Sequence, residues 1–237
     1  MSVGLASPFL STSASSLLDM IRQAIGQLIK RRSSDQRYWA RRSERLGAAA
    51  VCNIAHADAG IATITEKQKL LLYPLLRREL HGDERAALDV GCGSGRFTPD
   101  LAELLQGTSI GIDPVPTLLA LAPQAESVTY LGMKPGRIPL IDASVDLAWI
   151  VLVLGGITNN RVLRRTVDEV CRVLRPGGLL FLAENTARKP HARHWRFYDP
   201  QWYVDLFPEV ALSMIGSYED VGEVITVFAG RRRIEST

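Results

Sequence analysis

A chain of 237 residues, 46% of them hydrophobic and with a net charge of +3, is long enough for one domain with a sizeable core and carries no global pull toward nucleic acid. Cys52, Cys92 and Cys171 form no CxxC pair and leave one cysteine over from any pairing, which predicts reduced thiols and a cytoplasmic protein. No apolar run reaches the roughly 18 to 20 residues that span a membrane.

Residues 1–15, "MSVGLASPFLSTSAS", are rich in serine and small residues and read as a disordered tail with no secretory signal. The stretch 16–31 sets Leu17, Ile21, Ile25 and Leu28 on one face of an amphipathic helix. That face can pack on the domain, which is the plain expectation. It could also pair with a second copy, giving a homodimer through the N-terminal helices, or touch a membrane surface. Lys30 to Arg45 carries seven basic residues against two acids, a pattern that fits a solvated helix face or the attraction of an anionic partner. A second helix is predicted through Tyr38, Trp39 and Leu46. A third begins in "TITEKQKLLLYPLLRREL", with Thr65 and Gln68 spaced as a capping box. The domain division is then 1–15 tail, 16–64 helical cap and 65–237 main domain, with a lid over 185–205.

From residue 86 short β-rich runs alternate with helical ones. The strands are "AALDV", "TSIGID", "VTYL", "VDLAWIVLVL", "GGLLFLAE", a stretch near "VALSMIG", and "EVITVFAG". Helices are predicted over 96–105, 116–122, 160–173 and 200–206. Such alternation predicts an α/β fold of Rossmann-like type, a seven-stranded, mostly parallel sheet with helices on both faces plus the N-terminal helices. Ligands in such sheets bind at the carboxyl ends of the strands, where strand order reverses.

The first strand ends in "LDVGCGSGRF", residues 88–97. Glycine permits positive φ and close approach of a ligand to the backbone, and the helix that follows offers free N–H groups. The spacing is G-x-G-x-G, not the dinucleotide G-x-G-x-x-G. Asp89 lies two residues before the first glycine, where a carboxylate repels a pyrophosphate and attracts an ammonium group. Asp113 closes the second strand and suits ribose hydroxyls. The two acids together favour S-adenosylmethionine over NAD, which leaves a dehydrogenase a remote alternative.

"LDVGCGSGRF", "GIDP", "IPLIDASVDLAWIVLVL" and "EVCRVLRPGGLLFLAE" resemble, in order and spacing, the motifs of class I S-adenosylmethionine-dependent methyltransferases, the small-molecule group in particular. The resemblance covers about residues 70 to 187. It implies that Asp89, Gly91, Cys92 and Gly93 line the methionine part of the cofactor, that Gly95 and Arg96 open the next helix beside it, and that Asp113 holds the ribose with Pro114 against the adenine. Val151, at the end of the fourth strand, joins this cofactor set. Relatives often carry an acid after the third strand; here "YLGMKPGRIPL" offers Met133, expected to pack on the adenine. The histidine that many relatives place after the fourth strand is replaced by Gly155-Gly156.

In-line methyl transfer needs alignment and exclusion of water, and a hydroxyl acceptor also needs a base. The segment 191–203 holds two of the chain's four histidines and five aromatic residues. It reads as a substrate lid, with His194 the candidate base and His191, Trp195 and Tyr198 lining the acceptor. Tyr38 and Trp39 are expected to close the pocket from the other side. No metal is expected. An adenine-N6 enzyme would need [DN]-P-P-[YF] where this chain has "VLGGI", and no cysteine follows a proline as in a cytosine-C5 enzyme. The expectation is therefore O- or N-methylation of a sugar, phenolic or secondary metabolite. An RNA-modifying enzyme and a non-catalytic partner protein are the alternatives.

Overall fold

The computed structural model describes residues 34–53, 56 and 60–234. The predicted tail 1–15 and the amphipathic stretch 16–31 lie outside the described residues. Two helices precede the sheet, α1 (Ser34–Leu46) and α2 (Ile61–Glu79), with a 3-10 turn at Gly47–Val51 between them. The chain then runs β1 (Ala86–Val90), α3 (Thr98–Leu105), β2 (Thr108–Asp113), α4 (Pro116–Leu119), β3 (Val128–Gly132), β4 (Val145–Val151), α5 (Asn160–Val173), β5 (Leu174–Asn185), α6 (Pro200–Leu206), β6 (Ser213–Asp220) and β7 (Glu223–Arg231).

The sheet has seven strands in the order β3-β2-β1-β4-β5-β7-β6. The first five are mutually parallel; β7 runs antiparallel between β5 and β6. Strand order reverses at β1, whose neighbours are β2 and β4, so the ends of these three strands form the switch point. The central strands are apolar on both faces because helices cover both. In β4, Leu147, Trp149 and Val151 face α2 and α3, where they meet Leu72, Leu76, Phe97 and Leu101. Ala148 and Ile150 face the other way, toward Leu163, Val167, Val170, Tyr203 and Phe207. Trp149 stacks on Phe181 at 4.7 Å, and both are fully buried.

Several boundaries differ from expectation for local reasons. Thr65 does not cap α2. It lies inside the helix, its hydroxyl donates back to the Ile61 carbonyl at 2.8 Å, and Gly60 is the N-cap. The long apolar run after Val145 leaves the sheet at Val151, because Leu152 takes a left-handed φ of 57° and a 3-10 turn follows at Leu154–Gly156. Pro176-Gly177-Gly178 is not a loop before β5 but an irregularity within it, where the register against β4 shifts between Val145 and Leu147. Among the described residues no helix is long and apolar enough to cross a membrane.

Candidate functional site

At the end of β1 the backbone turns under the end of β2. The amides of Gly91 and Cys92 both donate to the Ile112 carbonyl, at 2.8 and 3.0 Å. Gly93 adopts φ +56°, and a Cβ there would lie 2.6 Å from Val51 Cγ1. Gly91, at φ +68°, is pressed against Val153 in the same way. Glycine is thus required both by conformation and by space. Asp89 is buried and accepts the Thr98 hydroxyl at 2.7 Å. Burial pushes it up to about 7, against the Thr98 bond and the Arg96 charge. Asp113 accepts the Gly93 amide at 3.0 Å and the Val115 amide at 2.8 Å, which ties the end of β2 to the glycine loop. Burial raises it to about 6. Cys92 is buried, and burial also raises its thiol.

Beyond Asp113, α1 lies over the chain. Gln36 Nε2 donates to the Pro114 carbonyl at 2.6 Å, and Ala40, Ala50, Val115 and Leu118 share a small core with Trp39 and Val51. The Met133 amide donates to the Asp113 carbonyl at 3.2 Å, which sets its half-buried side chain at the edge of the main core. Val151, by contrast, has its side chain in the core on the α2 face.

The lid segment divides in two. Trp195 lies over Gly155, where a Cβ would come 2.5 Å from its ring, and the Arg196 amide donates to the Gly155 carbonyl at 2.8 Å. His194 stacks on Tyr38 with ring centroids 3.7 Å apart, and Trp39 meets Trp195 edge-on at 6.5 Å. Partial burial, Arg193 and Arg196 lower His194 against the pull of Asp35. Asp35 in turn fastens α1 to the β4 exit, accepting the Thr158 amide at 2.9 Å and its hydroxyl at 2.6 Å. Tyr38, Trp39, His194 and Trp195 therefore come together above Gly155-Gly156. His191 and Tyr198 do not join them. They pair with each other at 5.5 Å, and Tyr198 stacks on Trp202 at 3.5 Å.

Two features escaped the sequence reading. Glu184, fully buried at the end of β5, accepts the amides of Val153 at 2.7 Å, Leu154 at 2.6 Å and Gly155 at 3.4 Å. Burial pushes it up to about 7 against those three bonds. The connection after α1 is also tied down. Arg42 donates to the carbonyls of Ala50 (2.7 Å) and Cys52 (3.0 Å), Asn53 donates to Glu223 at 3.2 Å, and His56 pairs with Asp220 at 2.9 Å. Asn53 and Glu223 are 170 residues apart, so no local pattern announces the contact.

Residues 88–182 match the model of a family described as a methyltransferase domain. This stretch is similar to the class I S-adenosylmethionine-dependent methyltransferases. It is 37% identical over 105 residues to an uncharacterized methyltransferase of Mycobacterium tuberculosis, covering 43% of this chain and 40% of that one. It is 39% identical over 135 residues to a human thiol S-methyltransferase, covering 49% and 50%. The chain thus spans half or less of the length of these curated relatives. A solved S-adenosylmethionine-dependent methyltransferase from Aquifex aeolicus superposes with a TM-score of 0.53 at 19% identity, over 73% of this chain and 100% of that one, which speaks for the fold alone.

The residues present fit this family's cofactor. Two glycines leave backbone bare where side chains would block approach, and two buried carboxylates stand at neighbouring strand ends. The raised acids give the methyltransferase domain a pH signature. A carboxyl whose pKa is raised by folding stabilises the fold fully below its ordinary value near 4, and this contribution is lost as pH rises through the folded value. For Asp89, Asp113 and Glu184 that window closes at about 6 to 7. A cationic ammonium group and ribose hydroxyls call for the ionised forms. The rise in melting temperature caused by S-adenosylhomocysteine is therefore expected to be larger at about pH 8 than at about pH 5. An equal rise at both would contradict ionised acids at the site.

Proposed function

We propose that the chain methylates a small-molecule thiol or hydroxyl group at the expense of S-adenosylmethionine. The observation that carries this reading is the double roof over the strand ends. Tyr38, Trp39, His194 and Trp195 stand on one side above Gly155-Gly156, and residues 50–53 stand on the other, with Val51 against Gly93. A site roofed in this way favours a small acceptor and the exclusion of water. The likeness to a human thiol S-methyltransferase supports sulfur as the acceptor atom.

When bound, the cofactor supplies a methyl group on a sulfonium that needs no further activation. The chain's own part is to bind and to align. Asp89 holds the ammonium group and Asp113 the ribose hydroxyls, while the bare backbone at Gly91 and Gly93 lets the methionine end lie close. The aromatic roof keeps water from competing with the acceptor. Asp113→Ala is expected to weaken S-adenosylmethionine binding by about 1 to 3 kcal/mol, through loss of charge-assisted hydrogen bonds. Calorimetry reads this directly, and unchanged affinity would remove Asp113 from the site.

The experiment for the reading as a whole is S-adenosylhomocysteine release in the presence of phenylmethanethiol, a simple phenol, or an RNA transcript. Turnover with the thiol or the phenol supports it. Methyl incorporation into the RNA, or no heat on mixing with S-adenosylmethionine, overturns it.

A further inference from the structure

One row of residues crosses three strands on the face that α3 covers. Asp89 of β1 is in register with Gly111 of β2, and Gly111 with Tyr130 of β3. Residues in register point to the same face of a sheet. Ser109 shares that face with Gly111, two residues on, and its hydroxyl donates to the Thr98 carbonyl at the start of α3, at 2.6 Å. Gly111 has no side chain, so the Tyr130 ring lies over it toward β1. A Cβ at Gly111 would meet Tyr130 Cδ1 at 2.7 Å. The ring ends against the glycine loop, where a Cβ at Gly95 would lie 2.5 Å from the phenol oxygen. Gly95 itself holds φ +72°, and its amide donates to the Cys92 carbonyl at 2.9 Å. Two glycines, one in a strand and one in the loop, thus make way for a single phenol.

The phenol oxygen is buried and has no hydrogen-bond partner among the described residues. Burial pushes its pKa up to about 12, so it keeps its hydrogen at neutral pH. Thr98, Cys92 and Asp89 are all close enough to act on it, but the Tyr130 and Thr98 hydroxyls stop short of hydrogen-bond geometry. Thr98 has already given its own hydrogen to Asp89, at 2.7 Å. Its oxygen can then only accept. A buried donor without an acceptor therefore stands near an acceptor without a donor, and leaving such a donor unmet is unfavourable. With Asp89 ionised, the hydrogens run in one order, from Tyr130 to Thr98 to Asp89.

We propose that Tyr130 is a positioning residue for the cofactor's ammonium group: its hydroxyl donates to Thr98, and Thr98 to Asp89, when Asp89 ionises to meet that group. This rests on the methyltransferase reading above. Each link favours the charged carboxylate over the neutral one. The other groups that bear on Asp89 are Arg96 and Cys92 of the glycine loop, Asp113 at the end of β2 and Tyr73 of α2. Tyr73 already donates to Asp100, at 3.0 Å, which leaves the Tyr130 hydroxyl as the donor still to be placed. The ring meanwhile props the turn at 92–95, so one side chain sets both the carboxylate and the loop beside it.

The pH profile of S-adenosylhomocysteine binding tests the assignment. Calorimetry gives Kd for variant and wild type, and their ratio cancels the titration of the ligand. Tyr130→Phe keeps the ring against Gly95 and Gly111 and removes only the donor. A carboxylate that loses a donor has a higher pKa, so ionised Asp89 appears later as pH rises. The Kd ratio is expected to be roughly three- to tenfold at about pH 6 and to shrink to within about twofold at about pH 9. Thr98→Val removes the direct bond and should give the same trend at larger size, roughly ten- to a hundredfold at about pH 6. Thr98→Ser keeps the hydroxyl and should return most of the wild-type profile. Because Tyr130 acts through Thr98, adding Tyr130→Phe to Thr98→Val should weaken binding no further. A Tyr130→Phe ratio that does not change with pH would make Tyr130 a packing residue and overturn the proposal, as would additive losses in the double variant. Failure of the wild-type protein to bind S-adenosylhomocysteine at any pH would instead sink the methyltransferase reading itself.

Discussion

Gly93→Val is expected to abolish cofactor binding while leaving the sheet intact. The backbone there has φ +56°, and a Cβ would sit 2.6 Å from Val51 Cγ1. A β-branched side chain pays the left-handed penalty, about 1 to 2 kcal/mol for L-residues in general, and adds two methyl groups to a place with no room for one. The strain cannot relax quietly, because the Gly93 amide is also the donor to Asp113. If the loop shifts to make space, the Asp113 carboxylate loses its tether. Titration calorimetry should show at least about a hundredfold weaker binding, or about 2.7 kcal/mol. Affinity within about tenfold of wild type would mean the loop is not the cradle.

The largest loss of stability is expected from Gly107→Ala, at the turn between α3 and β2. A Cβ at that position would lie 1.9 Å from the Arg85 carbonyl oxygen and 2.7 Å from its carbon. Those are backbone atoms at the entry to β1, so no side chain can swing away. The same carbonyl accepts the Thr108 amide at 2.7 Å, while the Gly107 amide donates to Ala102 at 3.0 Å. The turn is held from both sides. We expect about 3 to 5 kcal/mol of destabilisation and, for a chain of this length, a fall in Tm of about 10 °C. Gly60→Ala, where nothing lies within 4 Å, is the matched control and should melt close to wild type. A small shift at Gly107 would show that β1 and β2 can separate without cost at their amino ends.

What could be read from the sequence was what is local. Asp89, the glycines after it and Asp113 sit within single strand-turn-helix units, so their spacing carries their places at the strand ends. α5 and α6 were legible for the same reason, since each has a side-chain cap at its start, Asn159 and Asp199. The failures came from distance. Thr65 and Gln68 had the spacing of a capping box, but the helix had begun at Ile61, and both side chains serve Arg96 instead. The lid aromatics looked like one wall. Yet His194 and Trp195 found partners in α1, more than 150 residues earlier, while Tyr198 found Trp202 four residues on. His56 drew no notice because its meaning is supplied by Asp220, 164 residues away.

Glu184 carries a consequence for which acceptors the β4 exit can welcome. Three successive amides open there, at Val153, Leu154 and Gly155, in the kind of backbone concavity that elsewhere cradles phosphate. Here a carboxylate from within the chain already occupies all three. The donor supply at that spot is spent before any substrate arrives, and what remains is net negative character. A phosphorylated or sulfated acceptor finds no backbone welcome at the β4 exit and meets repulsion from an ionised Glu184. The backbone at the β4 exit is thus closed to such anions by Glu184, independent of the aromatic side chains above it.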